Sequence, residues 1–377
     1  MGSTFQVLRD TQRFYYDHVD GSWVPDYLIS RGLRNVTPRM GIGYAPPGRT
    51  TTTNHLLSLG HSPQDLVDAG VSRESAYGLR DVMSDRLMFS VLEITRSVVG
   101  FVGRANPRDT RARKYMNTPT TERYDKRFAL HGLGDYRDTL LEGATPLVVE
   151  GPMDKLAVDM IRILYGRHDI VPLAVCGTAL TPEHLGRIRE WADSPAWFCF
   201  DADAAGQRAL LRAWRLTADQ GRADQRVVQL PDGQDPASVD HSILNDAIQH
   251  AVPMSVAVAQ AQFNQWGLPD NWVKAELMVD TLAKRDAARI SAQDSVEWIS
   301  TVARLADLPI SSVQTALIEH LAPTPTTAQL EAVRAASFPS AAEIPTPSAD
   351  WRPRLHPQEM NTRETKHWTH DSDTRNR

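Results

Sequence analysis

Between residues 146 and 230, short apolar segments alternate with longer segments in which apolar residues recur every three to four positions. The short segments predict strands and the longer ones predict helices. The predicted strands are LVVE (147–150), IVPLAVCG (170–177), AWFCFD (196–201) and QRVVQL (225–230). The predicted helices between them are MDKLAVDMIRILYG (153–166), TPEHLGRIREWA (181–192) and AAGQRALLRAWRLTA (204–218). This alternation predicts a parallel sheet with helices on both faces.

The segments on either side have different patterns. Residues 3 to about 80 carry helical signals, and RLMFSVLEI (86–94) and SVVGFVGR (97–104) predict a β-hairpin. From about 240 to 322 the pattern is helical only, and from Pro323 onward seven prolines in 55 residues predict a mostly disordered tail. The sequence therefore predicts an α/β fold with four parts, which are an N-terminal α+β subdomain (1–143), a parallel-sheet domain (144–239), a helical subdomain (240–322) and the tail (323–377).

Composition excludes several classes of protein. A hydrophobic content of 41% is enough to form cores, so global disorder is excluded. No apolar run approaches the roughly 20 residues of a membrane span, and the first residues lack the apolar stretch of a signal peptide. These observations predict a cytoplasmic protein without a membrane partner. Cys176 and Cys199 are the only cysteines, so the chain contains neither a disulfide framework nor an all-cysteine zinc site, and no zinc is expected.

Charge is distributed unevenly along the chain. The net charge is −5, yet residues 86–127 contain ten basic and four acidic side chains. A basic segment within an acidic protein is typical of a surface that faces phosphate groups. A solvated face that balances acidic residues elsewhere has the same composition, so charge alone leaves both interpretations open.

Carboxylates follow two of the predicted strands. Glu150 ends the first strand and Asp154 lies four residues later, while Asp201 ends the third strand and Asp203 follows it. Open α/β sheets bind ligands at the carboxyl ends of their strands, and carboxylates are the oxygen ligands that Mg²⁺ and Mn²⁺ prefer. Acids at such places also serve as helix caps. Two acidic pairs at corresponding places of one βαβ array favour a metal site.

Both acidic motifs, EGPMD (150–154) and DADAAG (201–206), resemble those of the TOPRIM fold of DnaG-type primases, type IA and II topoisomerases and several nucleases. Seven further segments resemble the DnaG-type bacterial primase core. In chain order they are YLISRGL (27–33), IGYAPPG (42–48), RLMFSVLEITRSVVGFVGR (86–104), KYMNTPTT (114–121), YDKRFALHGL (124–133), CGTALTPEHL (176–185) and LPDGQDPAS (230–238). Because the similarity is collinear from about residue 14 to about 320, the chain resembles the RNA-polymerase core of that family.

The resemblance implies synthesis of RNA primers on single-stranded DNA from ribonucleoside triphosphates. It implies that the metal-binding and catalytic acids are Glu150, Asp201 and Asp203, with Asp154 and Asp235 as further metal-site acids. Whether Glu150 also assists deprotonation of the 3′-hydroxyl stays open. The basic and polar residues that it implies for nucleotide or DNA binding are Arg104, Lys114, Asn117, Lys126 and Arg127. Tyr115 is interpreted either as a base-stacking residue or as a core tyrosine.

The chain also departs from the family pattern. Two cysteines cannot form the family's zinc ribbon, and Ala237 stands where the family has an acid of the metal site. The family pattern favours Tyr where Pro152 stands, and a proline is tolerated near a helix start. We therefore expect a minimal primase core of the plasmid, phage or mobile-element type, with a helicase or another replication protein as partner. The alternatives are a different TOPRIM enzyme such as a nuclease, and a non-catalytic nucleic-acid-binding accessory protein.

Overall fold

The computed structural model describes residues 2–33, 40–177, 179–217, 225–265, 270–286 and 292–320. The helices within these ranges are α1 (Gly2–Asp17), α2 (Val24–Ser30), α3 (Thr51–Ser58), α4 (Pro63–Asp68), α5 (Arg137–Leu141), α6 (Pro152–Tyr165), α7 (Pro182–Trp191), α8 (Ala204–Thr217), α9 (His241–Gln249), α10 (Met254–Gln265), α11 (Asn271–Asp286), α12 (Ala292–Ala306) and α13 (Ile310–His320). The strands are β1 (Ile42–Ala45), β2 (Ser72–Arg73), β3 (Arg80–Asp81), β4 (Arg86–Leu92), β5 (Val98–Ala105), β6 (Tyr115–Asn117), β7 (Thr145–Val149), β8 (Ile170–Ala174), β9 (Trp197–Cys199), β10 (Arg226–Val227) and β11 (Val252–Pro253). The predicted tail (323–377) lies outside the described residues.

A four-stranded antiparallel sheet organises the N-terminal part, with strand order β1-β4-β5-β6. Strands β4 and β5 form the predicted hairpin, and Arg96 in its turn has a φ of 63°. Helix α4 begins as its sequence indicates, because the side chain of Ser62 accepts a hydrogen bond from the Asp65 amide in a capping box. The helix is followed by Gly70, whose φ of 68° favours glycine.

The second sheet confirms the predicted parallel arrangement. Its strand order is β11-β10-β9-β7-β8, and β7 pairs in parallel with both β8 and β9. The prediction of helices alone after residue 240 is wrong at β11, a two-residue strand that pairs antiparallel with β10. A strand of two residues is too short to produce a periodic pattern, so the sequence carries no signal for it.

One apolar cluster joins the two sheets and fixes their relative position. It contains Leu87 and Phe89 of β4, Leu156 of α6, and Leu244 and Ile248 of α9, all at most 2% exposed. Burying each of these side chains contributes about 1.5–3 kcal/mol. Because these contacts hold the antiparallel sheet against the parallel one, side chains from both sheets can line a single cavity.

The remaining helices, α10 to α13, pack on one another and on α8. Trp298, Ile299 and Val302 of α12 are buried in this packing. The predicted domain boundaries at 143, 239 and 322 stay predictions. Within the described residues, no helix combines the length and the apolar character needed to cross a membrane.

Candidate active site

A cavity of about 510 Å³ lies at the carboxyl ends of the central parallel strands. Strands β7 and β9 pair so that Val149 is opposite Cys199, and Glu150 and Asp201 therefore emerge at the same edge. The amide of Asp201 donates a hydrogen bond to Glu150 Oε1 at 3.2 Å. The charged and polar side chains that line the cavity are Arg31, Arg104, Lys114, Tyr115, Glu150, Asp154, Asp201, Arg208, Arg212 and Asp235.

Glu150 and Asp201 form the floor of an electronegative centre. Burial raises the pKa of the Glu150 carboxyl, and the charges of Asp203 and Asp235 raise it further. Burial and the charge of Glu150 raise the pKa of Asp201 to about 7. Asp201 Oδ1 is buried and has no hydrogen-bond partner among the described residues. An unpaired buried carboxylate oxygen is costly, so this position favours a bound cation.

Asp154 lies in the first turn of α6, two residues after Pro152. The proline stands at the start of the helix, where a proline is tolerated as expected. Its Oδ2 accepts a hydrogen bond from the Gly151 amide at 2.9 Å. The side chain is buried, and this burial together with the charges of Asp201 and Asp235 raises its pKa to about 8. Asp154 thus both stabilises the turn after β7 and contributes to the electronegative centre.

Asp203 and Asp235 stand at the edge of this centre and have other partners. Oδ1 of Asp203 accepts hydrogen bonds from the amides of Ala205 and Gly206 at 2.7 and 2.8 Å, as a helix cap does. Asp203 is exposed and does not line the cavity, although its charge raises the pKa of Asp201. Asp235 forms an ion pair with Arg31 at 3.5 Å. Asp203 therefore caps helix α8 through Oδ1, and its role as a metal ligand stays a prediction.

The donor set of the acids fits a divalent cation. Carboxylate oxygens are hard ligands, their mutual repulsion calls for positive charge, and Asp201 Oδ1 is unpartnered in the described structure. As placed, no three carboxylate, imidazole or thiolate groups of the described residues stand close enough together to hold one ion. Ion binding at this centre therefore requires the acidic side chains to stand closer together than they do here.

We expect Asp154→Asn to raise the melting temperature of the metal-free protein at pH 9 and to raise it much less at pH 4.5. The folded-state pKa of about 8 exceeds the ordinary value of 3.8, so stability is lost as pH rises from about 4 to 8. Asparagine removes this loss, which the rise of about four pKa units sets at about 5 kcal/mol at most, while keeping an oxygen for the Gly151 amide. Thermal unfolding in EDTA measures the effect.

The matched control for this stability measurement is Asp246→Asn, which alters a carboxylate that is 73% exposed. Its melting temperature should follow that of the wild type at both pH values. Equal shifts of Asp154→Asn at pH 4.5 and pH 9 would contradict a raised pKa at that position.

Basic side chains from the antiparallel sheet line the cavity together with the acids. Arg104 lies near the end of β5 and Lys114 directly precedes β6, and the side chains of both line the cavity. Nη1 of Arg104 donates a hydrogen bond to the Tyr115 hydroxyl at 2.8 Å. The Tyr115 ring also lies beneath Arg104 Cζ at 5.3 Å and Lys114 Nζ at 5.9 Å. Tyr115 therefore holds two cations at the cavity, and burial raises the pKa of its hydroxyl.

Three of the residues predicted to bind nucleotide or DNA lie outside this lining. Asn117 donates a hydrogen bond to the Cys176 carbonyl at 3.0 Å and accepts one from Tyr124, so it connects two loops. Arg127 is paired with Asp125 at 2.6 Å, and the side chain of Lys126 is exposed. A role of these residues in binding stays a prediction.

Residues that the sequence interpretation did not select also line the cavity. Arg31 belongs to the YLISRGL segment at the end of α2, and its ion pair with Asp235 connects this segment to the acids. Arg208 and Arg212 follow DADAAG on α8 with a spacing of four, which places them on one helix face. This spacing was the signal in the sequence from which the two arginines could have been predicted to share one face of the helix. Ala237 lines the cavity as a buried methyl group, so the departure from the family pattern leaves this wall uncharged.

Two family models match the chain. Residues 14–137 match the N-terminal domain of the DNA primase catalytic core, and residues 147–239 match a Toprim-like domain. The DNA primase of Mycobacterium leprae is 31% identical over 290 residues, which cover 74% of this chain and 42% of that protein. The DNA primase of Neisseria meningitidis serogroup A is 35% identical over 215 residues, which cover 56% of this chain and 35% of that protein. The chain thus spans about two-fifths of the length of these relatives.

Solved structures with the same fold include the RNA polymerase domain of Mycobacterium tuberculosis primase DnaG in complex with a double-stranded DNA oligomer that carries a 6-nucleotide overhang. That match has a TM-score of 0.68 at 25% identity and covers 82% of this chain and 98% of the other. A DnaG primase catalytic domain bound to single-stranded DNA matches with a TM-score of 0.63 at 25% identity, covering 82% of this chain and 98% of the other. With a primase-core model and a Toprim model adjacent in one chain, the protein belongs to the DnaG-type primase catalytic core family.

Proposed function

We propose that this chain catalyses template-directed nucleotidyl transfer that makes short RNA primers on single-stranded DNA. The observation that carries the proposal is the cavity in which Glu150, Asp154 and Asp201 share one lining with Arg104 and Lys114. Nucleotidyl transfer needs both kinds of group, because the phosphates require cationic partners and the reacting atoms require a positively charged centre held by acids. The family membership supports the same reaction class.

The residues have separate tasks in this proposal. Arg104 and Lys114 hold phosphate oxygens of the triphosphate or of the template by charge-assisted hydrogen bonds. Glu150, Asp154, Asp201, Asp203 and Asp235 would hold Mg²⁺ or Mn²⁺. When bound, such an ion supplies positive charge that stabilises the transferring phosphoryl group and increases the acidity of the attacking 3′-hydroxyl. Walls contributed by Met153, Leu180 and Phe200 limit the access of water to these groups.

The partners follow from the same reaction. We propose single-stranded DNA as template, ribonucleoside triphosphates as substrates, and a helicase or another replication protein that delivers the template. The DnaG catalytic domain bound to single-stranded DNA is a structural relative that supports this choice of template. The proposed location is the cytoplasm.

The test is primer synthesis from labelled ribonucleotides on single-stranded DNA, with Mg²⁺ and Mn²⁺ compared. Ladders of short RNA products support the proposal. Cleavage of the DNA without incorporation would instead favour a Toprim nuclease. Binding of DNA with neither incorporation nor cleavage would favour the non-catalytic accessory protein.

Substitution of two lysines tests which part of the basic segment contacts phosphate. We expect Lys114→Ala to weaken single-strand binding and to reduce the slope of log affinity against log salt by about 0.7, the value for one phosphate contact on a single strand. We expect Lys126→Ala to have a smaller effect, because both side chains are exposed but only Lys114 lines the cavity. Fluorescence anisotropy of a labelled oligonucleotide between about 50 and 200 mM salt measures both. Equal losses would extend the phosphate-facing surface to Lys126.

A further inference from the structure

The guanidinium of Arg104 contacts two tyrosine rings from distant parts of the chain. Its Cζ lies over the ring of Tyr27 at 5.1 Å from the centroid and over the ring of Tyr115 at 5.3 Å. No carboxylate pairs with Arg104 in the part of the chain that the structure describes. The positive charge is therefore held by aromatic faces, and it remains available to an anion in the cavity.

Tyr27 makes this contact through its ring. Its hydroxyl is buried and makes no hydrogen bond of good geometry with a described residue. Burial raises the pKa of this hydroxyl, and the nearby charges of Arg104 and Arg31 oppose that rise. Tyr115 differs, because its hydroxyl accepts a hydrogen bond from Arg104 Nη1. The face of the Tyr27 ring is therefore its best-defined contact with Arg104, and a phenylalanine would preserve that contact.

The Tyr27 ring also packs against a second aromatic ring, which is itself held by a hydrogen bond. The ring of Trp23 packs edge-on against it with centroids 5.6 Å apart. Trp23 Nε1 donates a hydrogen bond at 2.7 Å to Asp85, which also accepts one from Tyr44 at 2.6 Å. Helix α2, which carries Tyr27, buries Val24 against the main core. A rigid support of this kind restrains the guanidinium that packs on it.

We propose that Tyr27 is the positioning residue that holds Arg104 in place to receive a phosphate group. The proposal rests on the function proposed above, in which Arg104 binds phosphate oxygens. A free arginine has several rotatable bonds, and ordering them on ligand binding costs entropy. A guanidinium stacked on an aromatic face keeps its N–H edge free for phosphate while losing less freedom when the ligand arrives.

The first experiment compares Tyr27→Leu with Tyr27→Phe. ATP binding is followed by calorimetry, oligonucleotide binding by anisotropy, and incorporation by steady-state kinetics. For the ligand whose affinity depends on Arg104, we expect Tyr27→Leu to weaken binding about tenfold and to raise KM similarly, with kcat within about twofold of wild type. Tyr27→Phe should restore affinity and KM to within about twofold. Failure of phenylalanine to restore them would overturn a role of the ring.

A double-mutant cycle separates positioning from general damage to the fold. In an Arg104→Gln background, Tyr27→Leu should cause no further loss of affinity, because its effect passes through the guanidinium. The matched control is Tyr16→Leu, which removes a half-buried tyrosine outside the cavity lining. That variant should keep wild-type affinity in either background. Additive losses in the cycle, or the same loss in Tyr16→Leu, would overturn the proposal.

Failure of this proposal is distinguishable from failure of the proposed function. Binding of ATP and of the oligonucleotide requires no turnover, so the comparison is valid even if the wild-type protein makes no primers. Wild-type binding by Tyr27→Leu alongside weak binding by Arg104→Gln would overturn only the role of Tyr27. Unchanged binding of both ligands by Arg104→Gln would overturn the role of Tyr27 together with phosphate binding by Arg104.

Discussion

Replacement of Glu150 by glutamine, or of Asp201 by asparagine, is expected to reduce nucleotide incorporation by about a thousandfold or more. Loss of one preorganised electrostatic group at a reacting centre costs a factor of this size, and these two carboxylates lie at its floor. The fold should persist, because each substitution is isosteric and removes a charge that the neighbouring acids oppose. Incorporation of labelled ribonucleotides and thermal unfolding measure the two parts of the prediction.

Glu142→Gln is the control for the acid substitutions. Glu142 is exposed and follows helix α5, outside the cavity lining. Its variant should keep wild-type activity. If Glu150→Gln and Asp201→Asn incorporate nucleotides at the wild-type rate, the electronegative centre does not serve the reaction and the proposed mechanism fails.

Gly206→Ala is expected to destabilise the protein by about 2–3 kcal/mol and to reduce incorporation at least about a hundredfold. A Cβ at Gly206 would overlap the carbonyl oxygen of Asp201 and lie 3.0 Å from the Asp201 amide nitrogen. Both atoms belong to the backbone, so the turn between β9 and α8 must shift. That turn presents Asp201 and Asp203, and a displacement of about 1 Å at a reacting centre is enough for the activity loss.

Gly186→Ala provides a matched control for this glycine substitution. Gly186 lies inside α7, and apart from its chain neighbours and the backbone of its own helix, no described heavy atom stands within 4 Å of the position of an added Cβ. Alanine there should leave activity unchanged and stabilise the helix by about 0.5–1 kcal/mol. Wild-type melting temperature and activity in Gly206→Ala would contradict the tight turn.

Much of the parallel-sheet domain could be predicted because its signals are local. The runs at 147–150 and 170–177 are apolar, bounded by turns and separated by a periodic helical segment, and β7, α6 and β8 follow that order. The prediction was wrong at β11. Its two residues form a strand only because β10 offers an unpaired edge beside them, and no local pattern records that edge.

The acids of the site were more predictable than its basic residues. Glu150 and Asp201 follow strands that turned out to be neighbours, and the edge of a parallel sheet brings such residues together whatever the rest of the chain does. The basic residues lie on a different sheet. From spacing alone, Lys114 and Lys126 could not be distinguished, yet only Lys114 lines the cavity.

The sequence by itself determined the α/β class, the family and the acids at the strand ends, since each depends on short segments whose chemistry is read locally. Only the tertiary structure decided which cations meet those acids. Arg104 and Glu150 line one cavity because the apolar cluster shared by the two sheets fixes their relative position. Tyr27 reaches Arg104, 77 positions away, because Val24 and Leu28 of α2 are buried in the same cluster as Val102 of β5. Such contacts arise from the packing of whole elements, and packing is set by shape and burial summed over many residues rather than by any one motif.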